Sequence, residues 1–267
     1  VPENWHQKLL EQAQAQGIDF LSTPFDLERL ALLDQLNVPL IKIASGDLTN
    51  EELLKEAAKL KKPIVISTGA AYKKEIEKAV SILKKAGTKQ IAILQCVSCY
   101  PSAFEDTNLL AMQALESCFQ VPVGYSDHTP GSTIPIAAVA LGASIIEKHF
   151  TDNPKLEGPD HPHSLSPKEF AFMVKSIREL ELAMGDGIKI PTDSEKHERV
   201  MARRALYAKK EIPAGTILTR DMIKTVRHAF KEGILVEELD SAIGSVTKEV
   251  IKEHTLLTWK KLKKKKA

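Results

Sequence analysis

Short apolar runs alternate with longer amphipathic stretches along this chain, and that alternation leaves few folds open. Runs of strand length stand at residues 18–23, 40–45, 64–68, 91–96, 121–125 and 144–146. Helix-like stretches lie between them at residues 27–36, 51–60 and 73–86, and a small-residue stretch at 134–143 ends in a glycine signal at Gly142. Strand, helix and strand in regular succession predict a parallel sheet with helical crossovers. Their even spacing suits a closed (β/α) barrel better than a doubly wound sheet. No Gly-x-Gly-x-x-Gly follows any of the runs, so a dinucleotide-binding fold is disfavoured.

The 267 residues are 43% hydrophobic and 27% charged, enough for a sizeable core in one large or two smaller domains. A net charge of +2 supplies no global attraction to nucleic acid. No apolar run is long enough to span a bilayer, and the first residues do not read as a signal peptide. Three cysteines, Cys96, Cys99 and Cys118, make no disulfide framework. Cys96 and Cys99 form a Cys-x-x-Cys, but no second pair and no following helix start supports a zinc or thioredoxin role. A reducing, cytoplasmic setting is the simpler expectation. The lysine run from Lys260 to Lys266 reads as a solvated tail.

The strand ends carry the chemistry. In a parallel barrel the C-terminal ends of the strands form one face, and that face holds the active site. Here they end in Lys42 and Ser45, Ser67 and Thr68, Ser98 and Tyr100, Ser126 and His128, and Lys148 and His149. A serine at such a position also serves as a turn or helix cap. Lys42 is harder to explain that way. It sits between Ile41 and Ile43 and points opposite to both, so inside a barrel it needs an anionic partner. His128 and His149, at the ends of successive strands, are a candidate divalent metal pair.

From about residue 200 the composition changes to short strands and turns, around 203–208, 211–216, a short helix near 219–223, and strand-like stretches near 243–246 and 256–257. A helix over 167–185 precedes this region. The expected organisation is a catalytic barrel over residues 1–188, a linker over 189–202 and a small domain over 203–267.

Several motifs together resemble the N-acetylneuraminate (sialic acid) synthase family, which includes legionaminic and pseudaminic acid synthases and a spore-coat polysaccharide relative. They are Leu21-Ser22-Thr23-Pro24-Phe25-Asp26, Lys42-Ile43-Ala44-Ser45-Gly46-Asp47, Ser67-Thr68-Gly69, Tyr100-Pro101, Gly124-Tyr125-Ser126-Asp127-His128, Ile146-Glu147-Lys148-His149-Phe150 and Gly158-Pro159-Asp160-His161. The C-terminal part is similar to the family's antifreeze-like (SAF) domain. The resemblance implies a (β/α)8 TIM-type barrel with a SAF domain. It also implies an enzyme that condenses phosphoenolpyruvate with N-acetylmannosamine or a related N-acyl sugar and releases phosphate.

The resemblance assigns the metal, Mn2+ first with Mg2+ or Co2+ as substitutes, to His128 and His149. It assigns Lys42, Ser45, Ser67, Ser98 and Ser126 to the phosphoenolpyruvate site, with Ser98 where some members have asparagine. Asp47 stands where some have glutamate. Tyr100 and Asp160 would contact the sugar, and Arg227 would reach it from the partner subunit of a domain-swapped homodimer. Two departures accompany it. The family's first two barrel strands, with a glutamate and a further lysine, have no counterpart here, which makes a fragment with an open barrel the expectation. Arg227-His228-Ala229 replaces an Arg-Pro-Gly turn. Three other readings remain: a carbohydrate-binding or scaffolding remnant, a condensation with a sugar phosphate (which would want another basic cluster), and a metal-dependent hydrolase.

Overall fold

The computed structural model describes residues 2–227 and 232–263. The chain divides into two compact units, Val1–Asp186 and Gly187–Ala267. The first runs α1 (Glu3–Ala15), α2 (Leu27–Gln35), β1 (Ile41–Ile43), α3 (Glu51–Lys59), β2 (Ile64–Ser67), α4 (Lys73–Lys85), β3 (Ile91–Cys96), α5 (Leu110–Phe119), β4 (Val123–Asp127), α6 (Thr133–Ala140), β5 (Ile145–Lys148) and α7 (Pro167–Met184). Its five strands are parallel and lie in sequence order, each paired to the next. They form a half-barrel sheet with helical crossovers.

Five strands replace the six expected. Residues 18–23 form no strand. Ile18 and Leu21 are 64% and 42% exposed. An apolar pattern describes side chains, whereas a strand exists only through ladder hydrogen bonds to a neighbour, and this segment enters no strand pairing.

The helix starts follow local chemistry. The Asp26 carboxylate accepts from the Arg29 N–H at 2.7 Å, and the Asn50 side chain accepts from the Leu53 N–H at 3.2 Å. Ser166 and Glu169 form a capping box in front of Pro167, the first residue of α7. At the other end of a helix, Gly142 adopts φ 101°, a left-handed turn open to glycine, two residues beyond α6.

Strand alternation sorts the side chains into two faces. Ile41, Ile43, Ile64, Ile66, Ile93, Val123 and Tyr125 join Leu33, Leu53, Leu54, Ile76, Val80, Leu83 and Met112 in the main core. The opposite parity carries a small apolar floor of Val65, Ala92 and Leu94, with Ile145 against it. The same parity ends in Lys42, Ser67, Cys96, Ser126 and Glu147, so the polar strand ends share one face.

Gly124 sits where two strands come close. A Cβ there would lie 2.2 Å from the Ile145 carbonyl oxygen and 2.7 Å from Leu94 Cδ2. Because the first obstacle is backbone, Gly124→Ala is expected to cost ~1–3 kcal/mol, the range for overpacking. A urea midpoint equal to the wild type at unchanged m-value would contradict this.

The second unit contains α8 (Glu195–Met201), β6 (Arg204–Ala208), β7 (Ile223–Arg227), α9 (Leu239–Ala242), β8 (Val246–Thr247) and β9 (Leu262–Lys263). β6 pairs with β7 and β8 with β9, both antiparallel. Leu206, Ile212, Leu218, Ile223, Ile234, Ile251, Leu257 and Leu262 make its own core. The expected stretch at 256–257 contributes an isolated bridge between Leu256 and Tyr207. His228, Ala229 and Lys264 to Lys266 lie outside the described residues. No described helix is long and apolar enough to cross a membrane.

Candidate active site

A cavity of about 620 Å³ opens at the C-terminal ends of β1 to β5. Eight of the residues singled out from sequence line it: Lys42, Ser45, Ser67, Ser98, Tyr100, Ser126, His128 and His149. Asp47 is not among the lining residues; it lies on the single 3-10 turn after β1, where its carboxylate accepts from Asn50 Nδ2 at 3.5 Å. Asp160 stands beside the cavity, its carboxylate 3.9 Å from His149 Nδ1. Arg227 ends β7 in the other unit.

Lys42 has the anionic partner its position demands. Its ammonium lies 3.4 Å from Glu147 Oε2 and donates to the Ile43 carbonyl at 3.1 Å. Ser126 Oγ donates to the other oxygen of Glu147 at 2.6 Å. Glu147 belongs to the site although the sequence reading did not select it; its parity with Ile145 was the available signal. The pair joins β1 to β5, strands that share no hydrogen bonds, so the sheet curls enough for its ends to meet through side chains.

The serines divide by environment. Ser45 Oγ accepts from the Gly69 N–H at 2.9 Å. A Cβ on Gly69 would lie 2.1 Å from Ser98 Oγ, so glycine there makes room for that hydroxyl. Ser67 is 2% exposed and its hydroxyl has no protein partner. A buried hydroxyl of this kind calls for a ligand oxygen or water. Cys96 lies in the cavity wall, with Sγ 3.7 Å from Ser45 Oγ and 3.9 Å from His128 Nδ1. It is a free thiol, as are Cys99 and Cys118.

Aromatic rings gather on the other side. Tyr100, at the cis Tyr100–Pro101 peptide, lies 4.2 Å from His128 between ring centroids. His149 is 5.1 Å from His128, and a third imidazole, His163, is 5.0 Å from His149. His128 Nδ1 lies 2.8 Å from the Val97 carbonyl. A proton on that nitrogen leaves Nε2 free to ligate, the usual arrangement for a metal-binding histidine. Burial, then the neighbouring His128, lowers the pKa of His149; burial, then His149, lowers that of His163. Both shifts favour the neutral imidazole, the form that binds metal. One donor atom each from His149, Asp160 and His163 lie within 4.8 Å of one another. This donor set suits a divalent ion. Burial, then Cys96, raises the pKa of the Tyr100 hydroxyl, opposed by its hydrogen bond with Ser98.

Outward from the cavity, β4 and β5 exchange an ion pair. Lys148 Nζ lies 2.6 Å from Asp127 Oδ2, with both side chains at most 1% exposed. The Thr129 N–H and hydroxyl donate to the same carboxylate at 3.0 and 2.9 Å, and Lys148 also donates to the Thr129 carbonyl. The paired residues close their strands, and His128 and His149 follow them directly in the chain.

Residues 1–189 match the NeuB family. The chain belongs to that family. Residues 203–263 match the SAF domain. Among similar proteins, the N,N'-diacetyllegionaminic acid synthase of Campylobacter jejuni is 44% identical over 254 residues, 94% of this chain and 75% of that protein. The pseudaminic acid synthase of Helicobacter pylori is 37% identical over 258 residues, covering 97% and 75%. The crystal structure of an N-acetylneuraminic acid synthetase from Leptospira borgpetersenii, in complex with citrate, superposes with a TM-score of 0.70 at 41% identity, covering 74% of this chain and 70% of that one.

Proposed function

We propose that this chain is a nonulosonic acid synthase that joins phosphoenolpyruvate to an N-acylmannosamine-type sugar and releases phosphate. The observation that carries this reading is the convergence of Lys42, four serines, Tyr100 and two imidazoles on one cavity. The barrel expected from sequence corresponds here to the β1–β5 half-barrel.

In this reading Lys42 and the hydroxyls of Ser45, Ser67, Ser98 and Ser126 hold the phosphate and carboxylate of phosphoenolpyruvate. Ser67 brings an unsatisfied hydroxyl, and Lys42 brings a cation already positioned by Glu147. Tyr100 and Asp160 face the acceptor sugar. Asp47 takes the catalytic position where some members have glutamate, and Arg227 reaches the sugar from a second copy in a domain-swapped homodimer. His128 and His149 hold a divalent ion, with Mn2+ preferred and Mg2+ or Co2+ as substitutes. When bound, such an ion polarises the aldehyde of the open-chain sugar. Carbon 3 of phosphoenolpyruvate bonds to the aldehyde carbon, whose oxygen takes up a proton; water adds at carbon 2 and gives up a proton, and breaking the bond from carbon 2 to the phosphate oxygen leaves a keto group and inorganic phosphate. Binding both reactants side by side removes much of the entropic barrier to their meeting. We place the reaction in the cytoplasm, which suits three free thiols.

The test is phosphate release from phosphoenolpyruvate with Mn2+ and, in turn, the acceptor sugars that lead to N-acetylneuraminic, N,N'-diacetyllegionaminic and pseudaminic acid. Release that requires one of these sugars and stops with a chelator is expected. Release without any sugar, or none with all three, would overturn the reading.

A further inference from the structure

We propose that His163 is a third imidazole donor to the divalent ion held by His128 and His149, acting with Asp160. This rests on the metal reading of the same site.

The two histidines after Asp160 behave differently. His161 is engaged: its Nδ1 lies 2.6 Å from the Thr151 hydroxyl. His163 is 2% exposed, yet neither ring nitrogen has a hydrogen-bond partner. Leaving a buried polar atom unpaired is unfavourable, and His163 leaves two such atoms. Its surroundings offer no neutral reason for a polar ring. The nearest aromatic neighbours are His149 at 5.0 Å and Tyr100 at 5.8 Å, contacts that an apolar ring could make without orphaned nitrogens. The ring does face donors. His149, Asp160 and His163 form the one potential metal-holding group found among the described residues. His149 neighbours both His128 and His163, 5.1 and 5.0 Å from their rings, and the donor atoms that converge within 4.8 Å are those of His149, Asp160 and His163, so an ion at His149 meets His163 first.

The short 3-10 turn His161–His163 positions the ring. Ser164 Oγ donates to the Asp160 carbonyl at 2.6 Å, closing the turn so that Asp160 and His163 face the same way. A third nitrogen changes what the site prefers. Two imidazoles with oxygen donors leave Mn2+ and Mg2+ competitive, whereas three imidazoles favour borderline ions such as Co2+ and Zn2+.

The experiment titrates metal-free protein with Co2+, followed by visible absorption, and with Mn2+, followed by calorimetry. Wild type is compared with His163→Ala and His163→Phe. Both variants are expected to bind Co2+ ~10–100-fold more weakly and to show an altered Co2+ spectrum, with a smaller loss for Mn2+. His163→Phe keeps an aromatic ring, somewhat larger than imidazole, and removes the orphaned nitrogens, so its metal-free form should melt close to the wild-type temperature. The rise in melting temperature on adding Co2+ should then be smaller than in wild type. Equal dissociation constants and superimposable spectra in all three proteins would overturn the assignment. Failure of wild type to bind either ion would overturn it together with the metal reading. Wild type that binds metal through His163 but releases no phosphate would uphold it while sinking the synthase reading.

Discussion

Replacing His149 with alanine should lower turnover by at least ~10²–10³-fold, the cost of removing one preorganised stabilising group at a reacting centre. His149 is the middle ring of three, 5.1 Å from His128 and 5.0 Å from His163, with the Asp160 carboxylate 3.9 Å from its Nδ1. Removing it takes away the group that both neighbouring imidazoles face. His128→Ala should fall comparably, because the Val97 carbonyl orients its ring for ligation. His161→Ala is the internal control: that ring is spent on Thr151, and its loss should leave turnover within a few-fold of wild type. Steady-state kinetics at saturating phosphoenolpyruvate, sugar and Mn2+ decide the matter. Turnover in His149→Ala within tenfold of wild type would remove His149 from the metal site.

The largest effect on stability should come from Lys148→Met, at ~3–5 kcal/mol, because it strands a buried carboxylate. Asp127 is fully buried. Without Lys148 it keeps only the Thr129 N–H and hydroxyl as partners. The double variant Asp127→Leu/Lys148→Met should cost less than Lys148→Met alone, since no charge remains unpaired. Urea unfolding of the three proteins separates the cases. A loss below ~1 kcal/mol in Lys148→Met would mean that water reaches Asp127 and takes over its solvation. Asp127 and Lys148 immediately precede His128 and His149 in the chain, so Lys148→Met should also loosen metal binding.

What could be read from the sequence follows from what each pattern encodes. The strand runs from residue 40 to residue 148 and the helices over 51–60 and 73–86 were legible because their apolar residues meet the core, and their edges moved by only a residue or two; the 134–143 stretch ends three residues early, at Ala140, and α5 was not read at all. Residues 18–23 misled because alternation carries no information about whether a neighbour is present to complete the ladder. Lys42 was legible as an inward charge from its two isoleucine neighbours, but its partner Glu147 lies far along the chain and only the curl of the sheet brings them together. His163 was missed although Asp160-His161-Pro162-His163 places two imidazoles in one short turn. Which of them turns inward depends on Thr151 capturing the other, and that contact cannot be seen in the local sequence.

The order of the five strands in space is their order in the chain, so every pairing in the sheet joins segments separated by a single crossover. Such pairings close short loops and form readily, one unit at a time. The contact between Lys42 and Glu147 is of another kind, because it joins the first strand to the last and no partial sheet contains it. During folding, most of the hydrogen-bonded sheet can therefore form before the cavity exists. Competence to bind an anionic substrate would appear late and abruptly, when β5 docks, and a chain arrested one strand short would be largely structured and chemically blank.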